Sequence, residues 1–187
     1  MIQETVVLLG LSHAGKTTAG TLLAALLSCP FYDTDALIRL HTGVTPRELC
    51  RQGGISALHC AEAAALRTIH DRDSCSVIAA GGGVCDNHEA AALIAAIPQR
   101  VFLHAPESVL FERLTHDAQQ TGCYPAFLQL LPVSQYTAAR QLFSSLYIRR
   151  TEYYRTCCTL CIDTSGLTAE AVAERIANRL QGSLCRK

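Results

Sequence analysis

The octapeptide Gly10-Leu-Ser-His-Ala-Gly-Lys16-Thr17 constrains the fold of this chain more than any other stretch. It matches G-x-x-x-x-G-K-[ST], in which glycines let a loop curl until its backbone N–H groups converge on phosphate oxygens. The run before it, TVVLL at 5–9, is apolar and β-rich, and from Lys16 to Leu27 apolar residues recur at helical spacing. Strand, loop and helix in that order set the positive end of a helix behind a bound anion. Ser12, His13 and Ala14 between the two glycines, Gly15 itself and Thr18 in the first helical turn belong to the candidate amide cradle. Lys16 is expected to meet the β and γ phosphates and Thr17 to ligate Mg²⁺. An ordinary glycine-containing turn is the plainer alternative.

The strand signal returns four times, in PFYDTD (30–35), SVIAAGGG (76–83), RVFLHA (100–105) and TLCIDTS (159–165). Helical segments separate these runs, so the chain reads as α/β, with a parallel sheet covered on both faces and right-handed crossovers. Thr45-Pro46-Arg47-Glu48 supplies an N-cap, a first-turn proline and a capping-box glutamate, and Asp86 with Glu89 offers the same geometry. Residues 168–180 predict a final amphipathic helix. The stretch 117–135 carries turn residues, two prolines and little periodicity, which predicts a lid or an unstructured loop.

With 187 residues, 49% hydrophobic and 17% charged, the chain suffices for one domain with a sizeable core. Its 16 basic and 16 acidic residues cancel, so no overall field draws it to nucleic acid or to an anionic membrane. The start MIQETVVLLG lacks the features of a secretory signal, and no apolar run approaches the roughly 20 residues of a membrane span. A monomeric cytoplasmic protein is expected. The ten cysteines are scattered among helical segments and read as reduced core residues. Cys157, Cys158 and Cys161 lack the second pair that a zinc site would need.

The phosphate loop alone does not choose a reaction. The second strand narrows the choice, because Asp33 and Asp35, two residues apart, leave it on one side at the carboxyl end that faces the ligand crevice of a parallel sheet. One carboxylate there can hold Mg²⁺ through water while the other accepts from a substrate hydroxyl. Against this stands a purely structural reading, an Asx turn with Asp35 as helix N-cap. The bare backbone of Gly81, Gly82 and Gly83 after the third strand permits close approach of a ligand, or simply makes a tight turn.

With the phosphate loop, FYDTD (31–35) and AAGGGV (79–84) in this order, the chain resembles the shikimate kinase family over nearly its whole length. The resemblance implies a P-loop NTPase-type three-layer α/β/α sandwich around a five-stranded parallel sheet of order 2-3-1-4-5. It divides the single domain into a core (1–34, 64–113 and 149–187), a helical substrate-binding insert (35–63) and a lid (114–148). It implies ATP as donor, Lys16 on phosphate, Thr17 and Asp33 on Mg²⁺, Asp35 as the base on the acceptor hydroxyl, and the three glycines along the acceptor pocket. Arg113 of FERLT takes the place of an arginine that packs on adenine, a solvated helix arginine being the alternative.

The chain departs from the family pattern on the acceptor side. Where the family has F-R-x-x-E, this sequence reads Leu58-His59-Cys60-Ala61-Glu62, so His59 replaces an arginine that grips the carboxylate of shikimate. Losing that charge-assisted contact costs about 1.5 to 3 kcal/mol. A second acid-binding arginine lies in R-x-P-x-Y; Arg149, four before Tyr153, is the preferred match, and Arg150, four before Tyr154, the next. The lid arginine that precedes a proline is replaced in Tyr124-Pro125, and no Lys or Arg occurs between Arg113 and Arg140. Charge on the phosphoryl group then falls to Lys16, Mg²⁺ and either Arg140 or Arg149.

These features predict an ATP-dependent kinase that phosphorylates a hydroxyl of a small molecule: shikimate by family, or a less acidic or uncharged hydroxyl compound by the departures. A nucleotide-binding regulator that has lost transfer is the alternative from another class. The absence of N-K-x-D speaks against a GTPase.

Overall fold

The computed structural model describes residues 4–72, 75–128 and 130–184. Five strands, β1 (Val6–Leu9), β2 (Phe31–Asp33), β3 (Val77–Ala79), β4 (Gln99–His104) and β5 (Leu160–Asp163), form one sheet in the order β2-β3-β1-β4-β5. Every pairing is parallel, with Val7 opposite Ile78 on one side and Arg100 on the other. Successive strand side chains point to opposite faces, and Val6, Val7 and Leu8 are all fully buried. Both faces of the sheet are therefore covered, giving the three-layer arrangement and strand order expected from the sequence.

The helices are α1 (Lys16–Leu27), α2 (Thr34–Thr42), α3 (Pro46–Arg72), α4 (His88–Ala95), α5 (Glu107–Thr121), α6 (Tyr136–Cys157) and α7 (Ala169–Leu184). α1 packs on α7, and Gly20 lets α1 lie close to the sheet, since a Cβ there would meet the Phe31 ring at 2.6 Å. The capping box of α3 forms as expected: Thr45 N donates to Glu48 Oε2 (2.9 Å) and Glu48 N to Thr45 Oγ1 (3.2 Å). Helical geometry in α3 breaks at Gly54 (φ 73°, ψ −176°), a conformation open to glycine, so the helix changes direction there.

Three expectations are corrected. The N-cap of α4 is Asn87 and not Asp86; Asn87 Oδ1 accepts from Ala90 N (3.2 Å), while Asp86 is drawn to two arginines of α6. The stretch 117–135 is more ordered than its composition suggests, because α5 runs to Thr121 and two 3₁₀ turns, Ala126–Leu128 and Val133–Gln135, follow. None of the nine described cysteines is fully buried: all are free thiols, with Cys60 and Cys161 exposed, and Cys185 lies outside the described residues.

Tyr124 is fully buried and stacks on Phe111 with ring centroids 6.2 Å apart, in an aromatic group that Phe143 completes. Its hydroxyl has no hydrogen-bond partner.

Candidate active site

The carboxyl ends of β1, β2 and β3 converge on one crevice, where two adjoining cavities of about 1100 and 580 Å³ open. The larger is walled by the phosphate loop, Asp33, Asp35, Arg47 and α5; the smaller by α3, the glycine triplet, Asp86 and α6. Ser12, Asp35, Arg47, Gly81, Gly82, Asp117 and Pro125 belong to both walls.

The loop has the curl its sequence requires. Gly10 adopts φ 145°, and a Cβ there would lie 2.7 Å from Leu103 O, so no other residue fits. Lys16 is buried and folds back on the loop, its Nζ donating to Gly10 O and Leu11 O, both at 2.9 Å. Burial lowers its pKa to about 8, against the opposing pull of the Asp35 and Asp33 carboxylates. Arg113 lines the larger cavity and donates from Nη1 to His13 O (2.9 Å), which ties α5 to the loop.

Asp33 and Asp35 divide two tasks. Asp33, not Asp35, is the N-cap of α2: its Oδ1 accepts from Asp35 N (2.9 Å) and Ala36 N (3.2 Å). Its other oxygen, Oδ2, accepts from Thr17 Oγ1 at 2.6 Å. That frees the Asp35 carboxylate, to which nothing is hydrogen-bonded among the described residues. Although this side chain opens on the crevice, the surrounding walls desolvate it and raise its pKa, with repulsion from Asp33 adding and Lys16 opposing.

The glycine triplet admits protein groups rather than only a ligand. A Cβ on Gly81 would lie 3.1 Å from Glu62 Oε1 and 3.3 Å from Asp35 Oδ1; on Gly82, 2.5 Å from Ser12 N; on Gly83, 3.1 Å from Arg150 Nη2. Two acids, the phosphate loop and an arginine thus meet around three residues without side chains.

On the smaller cavity His59 is half-buried beside Leu58, Glu62 and Phe127. Arg150 is the inner of the two neighbouring arginines, 3% exposed, and donates from Nε (3.1 Å) and Nη2 (2.7 Å) to Asp86 Oδ2 and from Nη1 to Gly82 O (3.1 Å). Phe127 covers its guanidinium at 4.9 Å. Arg149 is 61% exposed at the rim and pairs with Asp86 Oδ1 at 2.9 Å. Arg140 reaches neither cavity; it pairs with Glu107 at 3.2 Å and lies over Phe111. Tyr124 likewise stays in the core.

Four residues of the site escaped the sequence reading. Glu62 is buried, bonded to Asn87 Nδ2 (3.0 Å), with its pKa raised chiefly by burial. Its place one helical turn after His59 was the available signal. Asp86 passed for a helix cap. Arg47 and Asp117, joined at 3.1 Å across 70 residues of sequence, left no local trace.

Comparison with known proteins agrees with this architecture. The shikimate kinase family model matches residues 12–181. The shikimate kinase of Halorhodospira halophila is 33% identical over 175 residues, covering 94% of this chain and 92% of its own. That of Dechloromonas aromatica is 32% identical over 183 residues, covering 95% and 92%. Among solved structures, the shikimate kinase of Acinetobacter baumannii in complex with shikimate superposes with a TM-score of 0.82 at 24% identity, covering 96% of this chain and 94% of that one. A phosphate loop, a free carboxylate at the carboxyl edge of the sheet and a matching family model over most of the length lead to one conclusion: the chain belongs to the shikimate kinase family of small-molecule kinases.

Proposed function

We propose that this protein transfers the γ-phosphoryl group of ATP, with Mg²⁺, to a hydroxyl of shikimate bound in the smaller cavity. The observation that carries the reading is the position of Asp35, unbonded and shared by both cavity walls. A base at that point reaches an acceptor on one side and a triphosphate on the other.

The donor set suits magnesium. Thr17 Oγ1 and Asp33 Oδ2 are hard oxygens 2.6 Å apart, and among the described residues no group of three or more His, Cys, Asp or Glu side chains could hold an ion unaided. Phosphate oxygens and water would complete the shell, as Mg²⁺ prefers. When bound there, Mg²⁺ supplies charge neutralisation on the phosphates.

Lys16 exchanges its two carbonyl partners for phosphate oxygens, and the loop amides from Ser12 to Thr18 orient the chain of phosphates. Arg113 holds the edge of the loop beside the nucleotide. The acceptor O–H is held by Asp35, whose raised pKa suits it to take the proton as the new O–P bond forms and the bond to ADP breaks. Arg150, with Arg149 at the rim, is the cation set nearest an acceptor carboxylate, and His59 contributes a weaker contact. Residues 114–148 act as the lid, with Pro125 at the join of the two cavities and Phe127 over the acceptor. The reading carries with it a monomer working in the cytoplasm, without nucleic-acid or membrane partners; the balanced charge supports the last of these, since no overall field draws the chain to an anionic surface.

One observation favours a second acceptor class. Asp86 already pairs with both Arg149 and Arg150 and offsets one of their two charges, which weakens their pull on an acceptor carboxylate and fits an uncharged hydroxyl compound. ADP release measured with shikimate, with its carboxamide and with simple polyols tests both readings. Turnover on shikimate at least tenfold above the carboxamide supports the first, the reverse order supports the second, and tight MgATP binding without turnover on any of them removes the kinase reading.

A further inference from the structure

We infer that Arg47 is a catalytic residue, which leaves Asp117 to contact the phosphoryl group in transit between the two cavities. This role rests on the kinase reading, under which the lid is short of cations. A phosphoryl group under transfer carries charge on three equatorial oxygens, and such enzymes meet it with cations aimed at the point of transfer. The polypeptide between Arg113 and Arg140, which contains most of the lid, has no Lys or Arg. Arg140 is engaged with Glu107 and Phe111, away from both cavities.

The remaining cations of the site are distributed unevenly. Lys16 and Arg113 line only the larger cavity, and Arg149 and Arg150 only the smaller. Among the described residues, Arg47 is the one cation that lines both. It stands on the same shared wall as Asp35, the proposed base, and Ser12 of the phosphate loop. The group being transferred must cross that wall.

Arg113 is fastened to a loop carbonyl and Arg150 to Asp86 and Gly82 O, while Arg149, paired with Asp86 at the rim, lines the smaller cavity alone. Arg47 is held differently. Its Nη2 meets Asp117 Oδ2 at 3.1 Å, and the two side chains are 22% and 36% exposed. A pair this open to water is weakly held, so the charged equatorial oxygens of a phosphoryl group in transfer can take Arg47 from Asp117 without breaking a buried contact. The capping box Thr45/Glu48 and the break at Gly54 fix the short helical segment that carries Arg47, so its side chain is aimed by the fold.

In the balanced step, the acceptor oxygen bonds to the γ phosphorus, its proton passes to Asp35, and the bridging P–O bond breaks with its electron pair leaving on ADP. Arg47 donates to the equatorial oxygens throughout and neither gains nor loses a proton.

The test is steady-state ADP release by Arg47→Met, Arg47→Lys and Asp117→Asn, with MgATP affinity by calorimetry and Tm measured alongside. Arg47→Met should lower kcat about 100-fold or more, leave MgATP affinity within threefold, and lose at least tenfold more kcat than Asp117→Asn; Arg47→Lys should recover part of the loss. If the pair merely braces α3 against α5, Arg47→Met and Asp117→Asn will depress Tm and kcat alike, and the assignment falls. Wild-type-like kcat in Arg47→Met overturns it directly while leaving the kinase reading intact. Wild-type protein that binds MgATP but turns over no acceptor removes both.

Discussion

Asp86 holds two consecutive arginines at once, Arg149 through Oδ1 at 2.9 Å and Arg150 through Oδ2 at 2.7 Å. Two neighbours on a helix point about 100° apart, so one carboxylate can reach both only because the 3₁₀ turn Val84–Asp86 sets it against the flank of α6. The smaller cavity thereby carries its own counter-ion.

Asp86→Asn should expose the effect of that counter-ion in two opposed directions. Arg150 is almost fully buried, so loss of its charged partner should destabilise the fold by about 2 to 3 kcal/mol in urea titrations. The freed guanidinium should at the same time lower the KM for a carboxylate-bearing acceptor several-fold relative to its carboxamide. A fall in KM for both acceptors alike would detach the effect from charge.

The raised pKa of Asp35 gives a pH signature with a definite sign. As the proposed base it must be ionised, so kcat/KM should fall as pH drops through a value above the ordinary aspartate 3.8. Asp35→Asn should remove turnover and leave MgATP binding nearly unchanged. Because Asp35 and Glu62 bind protons more tightly folded than unfolded, stability should decline as pH rises through their folded pKa values. Asp35→Asn and Glu62→Gln should therefore have a higher Tm than wild type at pH 7, a difference that shrinks as pH falls through the ordinary values of 3.8 and 4.5, below which both carboxyls are protonated in either state.

Lys16 should report nucleotide binding through protons. With a pKa of about 8 in the free protein, it is partly neutral above that pH, and a bound triphosphate stabilises its charged form. Calorimetry at pH 8.5 in buffers of different ionisation enthalpy should register proton uptake on MgATP binding, shrinking toward pH 7. Lys16→Met should abolish the uptake and weaken binding at least tenfold.

Tyr124 tests whether the lid position has joined the core. Its hydroxyl is buried without a partner, so Tyr124→Phe should stabilise the protein by roughly 1 kcal/mol and leave kcat unchanged. Tyr124→Arg, which writes the family arginine back at this place, should bury an unpaired charge beside Phe111 and cost several kcal/mol in thermal unfolding.

What the sequence revealed was whatever depends on neighbours in the chain. The phosphate loop, the capping box at Thr45 and the alternation of strands with helices are local patterns, and β1, α1 and a parallel sheet follow from them, whereas the order of its strands came with the family resemblance. The acceptor side depends on distant partners. Arg149 and Arg150 differ by one position, and without the proline that marks the register only the contact with Asp86 distinguishes rim from interior. Asp86 and Asn87 are both good N-caps; the arginines of α6 claimed the first and left the second to α4. Arg47 looked like a helix-start residue because its partner Asp117 lies on another helix.

The break at Gly54 separates two struts that load on different parts of the scaffold. The segment before it leans on α5 through Arg47 and Asp117, and the longer one after it is anchored to α4, where Asn87 Nδ2 grips the carbonyl of His59 at 2.8 Å. Drift in the smaller cavity can thus accumulate along the second strut while the first keeps Arg47 aligned at the join of the two cavities.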